Sequence, residues 1–214
     1  MRLVLPRLYV ILDAALLTHP ETQIAASLAE AGVRLLQYRN KQASARELLE
    51  KSRSLAESLL PQRVTFILND RADVAALAGA NGVHVGQDDL AVEAVREIVG
   101  PSSIVGVSTH NLEQFRAAAA TSADYIALGP IYETSSKANP DPVVGLEMIR
   151  AARRLAGKPI VAIGGITLDR AADVMAAGAD SVAVISDILR AADPANRAHQ
   201  FIDLLGKAND AATV

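Results

Sequence analysis

Residues 160–186 read IVAIGGITLDRAADVMAAGADSVAVIS. An apolar run, IVAI, breaks at Gly164 and Gly165. A polar turn and an Ala-rich segment follow, and Ala177-Gly178-Ala179 leads into a second apolar run that starts at Ser181. Runs of this length match buried strands, and the alanines between them suit a helix. Gly178 sits where a helix ends in the left-handed conformation that glycine adopts at little cost. The stretch is one strand–helix–strand unit.

The same phrase recurs along the whole chain. Apolar runs fall at 8–12, 33–38, 64–68, 82–85, 104–107, 125–128, 160–163 and 181–185. Between them apolar residues recur every three or four positions, as in Ile24, Leu28 and Ala31, or Leu48, Leu49, Leu55, Ala56 and Leu59. Gly32 and Gly79 punctuate two more junctions as Gly178 does. Eight βα units predict a parallel sheet, and eight units in only 214 residues favour a closed barrel over an open doubly wound sheet. The expected fold is a single (β/α)8 TIM barrel over residues 1–214, with no linker or low-complexity segment.

Composition agrees and excludes several alternatives. Half the residues are hydrophobic, with three Phe, four Tyr and no Trp. Small branched side chains of this kind fill buried parallel strands. A formal net charge of −3, without a basic patch, argues against a nucleic-acid partner. The absence of cysteine excludes disulfides and thiolate catalysis. The opening MRLVLPRLYVILD is broken by Pro6, Arg7 and Asp13, so neither a signal peptide nor a membrane span is expected there, and the cytoplasm is the expected location. Oligomeric state stays open, a homo-oligomer included.

Barrel active sites lie where strands end, so the residues after each run hold the chemistry. After the second run Gln37, Arg39 and, on an extended strand, Lys41 share one face, a cationic set suited to a polyanion. Asn69 and Asp70 follow the third run; Asp88 and Asp89 follow the fourth. Mg²⁺ takes one or two carboxylates plus phosphate oxygens, which Asp70 and Asp89 would supply, with Asp88 as a rival; both also read as helix N-caps. His84 reads as a core histidine. Ser108, Thr109 and His110 follow the fifth run, with Thr109 read as a cap. The polar stretch 129–144, with Thr134, Ser136 and Lys137, is too long for a plain connection and suits a lid. Gly164, Gly165 and Thr167 follow the seventh run, Ile185 and Ser186 the eighth. These two loops are where barrels commonly cradle a phosphate with backbone N–H groups. The residues alone therefore describe two anion sites, one suited to a diphosphate with Mg²⁺ and one to a monophosphate.

Taken in order, LYVILD, LQYRNK, LNDR, GVHVGQDDL, GVSTH, DYIALGPIYETSSK, AIGGI and GADSVAVIS resemble the thiamine-phosphate synthase family through almost the whole chain. The resemblance implies a transferase that joins hydroxymethylpyrimidine diphosphate to hydroxyethylthiazole phosphate, carboxylated or not, with Mg²⁺ as cofactor. It implies that Arg39, Lys41, Asn69 and Lys137 hold the diphosphate. Asp70 and Asp89 hold Mg²⁺, and Gln37 and Ser108 contact the pyrimidine. Thr134, Ser136, Gly165, Ile185 and Ser186 bind the thiazole phosphate. Lys137, Arg39 and Ser108 are the implied catalytic set. Two departures stand out: Ser136 replaces a commoner Thr, keeping the hydroxyl, and Glu133 adds a negative charge near an anion site. The alternatives are a related thiazole tautomerase, in which a histidine follows the glycine where this chain has Pro130, and a catalytically silent phosphate-binding barrel.

Overall fold

A computed structural model describes residues 3–134 and 141–210. Eight strands alternate with helices: β1 (Leu8–Asp13), α1 (Glu21–Glu30), β2 (Leu35–Arg39), α2 (Ala45–Leu59), β3 (Thr65–Asn69), α3 (Ala72–Ala78), β4 (Gly82–Val85), α4 (Val92–Val99), β5 (Ile104–Thr109) and α5 (Leu112–Ala119). Then come β6 (Tyr125–Leu128), α6 (Gly145–Leu155), β7 (Ile160–Ile163), α7 (Leu168–Ala176), β8 (Ser181–Val184), a short α8 (Ser186–Leu189) and a terminal α9 (Pro194–Asp210). The strands pair in parallel in sequence order, and β8 closes on β1. All eight apolar runs are strands, three with the expected limits (β4, β6 and β7) and the others displaced at their ends by one or two residues.

Strand period two divides the side chains between two cores. Outward residues such as Val10, Leu36, Phe66, Leu68, Val105, Ile126 and Val182 pack against the helices. Inward residues Tyr9, Ile11, Leu35, Ile67, Tyr125, Ala127, Val161 and Ala183 fill the barrel. Tyr125 takes the centre because Gly106 on the neighbouring strand leaves the room: a Cβ there would lie 2.0 Å from the Tyr125 ring. The barrel is thus plugged below, and the polar residues above the plug face the mouth.

A recurring device fixes the other end. Asp124, just before β6, accepts from Val105 N at 2.8 Å and from Arg96 at 2.6 Å. Asp180, just before β8, accepts from Ile160 N at 2.7 Å and from Arg153 at 2.6 Å. Asn81, before β4, accepts from Phe66 N at 2.8 Å. In each case a side chain at the start of an even-numbered strand satisfies a backbone donor of the strand before it. Those donors would otherwise lose the ladder at its frayed start.

Candidate active site

One cavity opens at the C-terminal mouth. Its wall includes Gln37, Arg39, Asn69, Ser108, Thr134, Gly165, Ile185 and Ser186, eight of the expected site residues. Strand register puts them there: Asp13 pairs with Arg39, Asn69 with His84 and Ser108 with Ala127, so the last inward positions of β1 to β6 form a ring. Lys41 is not on the strand, because β2 ends at Arg39. It reaches the same region from the following turn by pairing with Asp70. Ser136 and Lys137, with the rest of residues 135–140 of the expected lid, lie outside the described residues.

On the β1–β4 side, charges are matched in pairs. The Asp13 carboxylate is buried and accepts from Arg39 and from Ala15 N at 3.1 Å, which fixes the guanidinium at the cavity wall. Asp70 adopts φ 63, a left-handed conformation that Asp tolerates better than most residues. Burial raises its carboxyl above the ordinary carboxylate range; Lys41 opposes that shift and the neighbouring Asp89 carboxylate reinforces it. Asp89 closes the turn after β4, accepting from Gly86 N at 2.7 Å. Neither aspartate caps a helix: the cap positions of α3 and α4 are Arg71 and Ala91. Thr109 is not a cap either. It belongs to β5, its hydroxyl donates to Ala127 O at 2.9 Å, and Asn111 caps α5. The cap readings fail because each side chain is spent elsewhere: Asp70 on Lys41, Asp89 on Gly86 N and Thr109 on Ala127 O.

The neighbouring Asp70 and Asp89 carboxylates, near Arg39 and Lys41, form a donor set that fits a divalent cation. Among the described residues no cluster of three or more His, Asp or Glu gathers around one point.

On the β7–β8 side the backbone dominates. Gly164 and Gly165 have φ 99 and 62. A Cβ on Gly165 would lie 2.3 Å from Glu133 O, so glycine is required where the turn meets the base of the β6 loop. That base is pinned to β7: Ile131 N donates to Ile163 O at 2.9 Å and Tyr132 N to Gly164 O at 3.0 Å. Arg170 lies 4.5 Å from the Tyr132 ring centroid and donates to Gly165 O at 2.8 Å, clamping turn and loop together. Thr167 occupies the cap position of α7 without a side-chain cap bond; Asp187 instead accepts from Leu168 N at 3.2 Å. Glu133, whose charge was unexpected near an anion, is exposed.

Sequence reasoning missed the cavity floor. Gln37 Nε2 donates to Tyr9 Oη at 2.8 Å, Tyr9 Oη meets Tyr125 Oη at 3.0 Å, Tyr125 Oη meets His84 Nδ1 at 3.0 Å, and His84 Nε2 meets Ser108 Oγ at 2.9 Å. His84 is a buried core residue, as expected, yet it also lines the cavity. Asp13 was missed too. Its signal was available: a carboxylate at the end of an apolar strand is costly to bury unless a cation such as Arg39 pairs with it.

A closed parallel barrel with a cavity at the C-terminal ends of its strands, into which Arg39, Asn69, His84, Ser108 and Ser186 are set among apolar residues, defines a (β/α)8-barrel enzyme. Residues 8–188 match the family model described as thiamine monophosphate synthase. A thiamine-phosphate synthase of Koribacter versatilis is 55% identical over 210 residues, covering 94% of this chain and 96% of its own length. One from Agrobacterium fabrum is 42% identical, with 91% of each chain covered. The solved thiamine phosphate pyrophosphorylase of Pyrococcus furiosus superposes with a TM-score of 0.86 at 33% identity, covering 94% of this chain and 96% of that one. The chain belongs to the thiamine monophosphate synthase family, and it is a transferase of thiamine biosynthesis.

Proposed function

We propose that this chain joins hydroxymethylpyrimidine diphosphate to hydroxyethylthiazole phosphate, giving thiamine phosphate and diphosphate. The observation that carries the reading is a single cavity with two unlike anion walls. Arg39 and Asn69 line one side, and the Lys41–Asp70 pair follows those same strands; the Gly164–Gly165 turn and Ser186 line the other. In the reaction the C–O bond to diphosphate breaks and the leaving group keeps the electron pair. The thiazole nitrogen lone pair then forms the new C–N bond. No protein nucleophile is needed. The protein aligns the two rings, excludes water from a cationic carbon, and neutralises charge that builds on the departing diphosphate.

Arg39, held by Asp13, and Lys41 face that charge. Asp70 and Asp89 would hold Mg²⁺, which when bound neutralises further diphosphate charge. Gln37 and Ser108 would contact the pyrimidine, and Thr134, Gly165, Ile185 and Ser186 the thiazole phosphate. Ser136 and Lys137 would act from the β6 loop, Lys137 on the leaving group. An isomerase would need no diphosphate wall, which sets this reading above the tautomerase alternative. Both substrates are phosphorylated and too highly charged to cross a membrane unaided, so the cytoplasm is the setting proposed. Among the described residues no helix is long and apolar enough to cross a membrane. The test is direct: incubate the protein with both substrates, omitting each substrate and Mg²⁺ in turn. Thiamine phosphate should form only in the complete mixture.

A further inference from the structure

Lys41 stands beside the diphosphate wall with little in its own side chain to hold it there. Strand β2 ends at Arg39, and the Lys41 side chain is 52% exposed where it pairs with Asp70. An ion pair so open to water is screened by salt and opposed by the entropy of a long side chain. The backbone at Lys41 must therefore be fixed by something else. Asn40 does this. Its Oδ1 accepts from Gln42 N and from Ala43 N, each at 3.1 Å. The ring closed by the first of these bonds contains the whole backbone of Lys41, so the Asn40 side chain wraps the turn around the lysine.

Asn40 is itself held from outside the barrel. Alternation along the strand puts Tyr38 and Asn40 on the outward face and Arg39 and Lys41 on the inward one. Asn40 Nδ2 donates to Tyr38 Oη at 3.1 Å, and Tyr38 Oη donates to Glu21 Oε1 at 3.1 Å. Glu21 opens α1 and pairs with Lys51 of α2. Both ends of this chain fix its direction. Two backbone N–H groups can only donate, so Oδ1 faces them and the Asn40 amide N–H is left for Tyr38. A carboxylate only accepts, so the Tyr38 proton goes to Glu21. Burial works to raise the Glu21 carboxyl, but its bonds to Lys51 and Tyr38 outweigh burial and hold it below the ordinary range. Burial, reinforced by Glu21, pushes the Tyr38 hydroxyl above its ordinary range, so it keeps the proton it donates. The Tyr38 ring is wholly buried among the residues between barrel and helices, which leaves its hydroxyl one place to be.

We propose that Asn40 and Tyr38 are positioning residues that tie the Lys41 turn to Glu21 on α1, and thereby set how tightly the diphosphate of the pyrimidine substrate is held. Neither side chain touches the substrate; both act through Lys41. Arg39 does not depend on them, because strand register and the buried Asp13 carboxylate already hold it. The inference rests on the diphosphate wall assigned under the proposed function.

The experiment measures the affinity of inorganic diphosphate by calorimetry, with Mg²⁺, for the wild type, Tyr38→Phe, Asn40→Ala and Lys41→Ala, and for the first two changes each combined with Lys41→Ala. Thermal melting checks the fold. Asn40 lies in a half-buried turn, so its variant keeps the test decisive should the core change at Tyr38 fail to fold. Tyr38→Phe should weaken binding about fivefold, the worth of one hydrogen bond. Asn40→Ala also frees the turn amides and should cost more, up to the loss seen in Lys41→Ala. In the Lys41→Ala background neither change should cost more than about twofold further, because residues that act through Lys41 have nothing left to position. Initial rates should show the KM for pyrimidine diphosphate rising in both single variants and the KM for thiazole phosphate unchanged. Single variants that bind as the wild type does, losses that persist in full without Lys41, or equal rises in both KM values would overturn the proposal. Wild-type turnover is measured separately. A wild type that binds diphosphate but makes no thiamine phosphate would contradict the proposed reaction and leave the positioning result readable.

Discussion

Asp13 shows how one side chain sets another. Its carboxylate is buried at the end of β1, with Arg39 directly across the strand pair. Asp13→Asn keeps the shape but removes the charge that holds the guanidinium. The KM for the pyrimidine diphosphate should rise about tenfold or more, since a charge-assisted hydrogen bond is worth ~1.5–3 kcal/mol, while the KM for thiazole phosphate stays put. Initial-rate kinetics with each substrate varied in turn will show this.

Asp70 gives a prediction of opposite sign for stability. Its folded pKa is raised above the ordinary value of 3.8. Ionisation therefore favours the unfolded chain, and the cost is present at neutral pH and fades as pH falls through the folded pKa toward the unfolded one. Without metal, Asp70→Asn should melt at a higher temperature than wild type at neutral pH, with the gap closing below the ordinary carboxylate range. Adding Mg²⁺ and diphosphate should reverse the order. A variant that melts lower without metal, or responds to Mg²⁺ as wild type does, would count against the two-carboxylate site.

Elements carry the separation of stability from function. The Asp180 carboxylate joins β7 and α6 at the closed end of the barrel. Removing it in Asp180→Ala leaves a backbone donor and Arg153 without this partner. The cost should be about 1–3 kcal/mol by chemical denaturation, with both KM values unchanged. At the open end Gly165→Ala should behave differently. Its Cβ would meet Glu133 O at 2.3 Å, and φ 62 disfavours any side chain. The β6 loop base would shift, weakening thiazole phosphate first; an unaltered KM for that substrate would contradict the role given to this turn.

At the scale of the whole molecule, the sequence was legible where one physical signal dominated. Apolar runs bounded by turns gave all eight strands because parallel strands are buried on both faces. The cavity wall was legible because barrel chemistry collects after strands, which brought out Gln37, Asn69, Ser108, Gly165 and Ser186. The floor was not. Tyr9 and Tyr125 sit mid-strand, where an aromatic residue reads as packing, and their hydroxyls meet only because the barrel closes: they are 116 positions apart in the chain. Asp70, Asp89 and Thr109 were ambiguous with caps because the residue types that cap helices also accept from turns and bind metals; only the geometry separates those roles.

The central claim is that one cavity holds two phosphorylated substrates on opposite walls. The most direct measurement is a two-substrate steady-state matrix for wild type, Arg39→Ala and Ser186→Ala, with folding checked by thermal melting. Arg39→Ala should raise the KM for pyrimidine diphosphate alone. Ser186→Ala should raise the KM for thiazole phosphate alone, and by less, because backbone groups around Gly165 still face the phosphate. If both variants raise the KM of the same substrate, the division of the cavity is wrong.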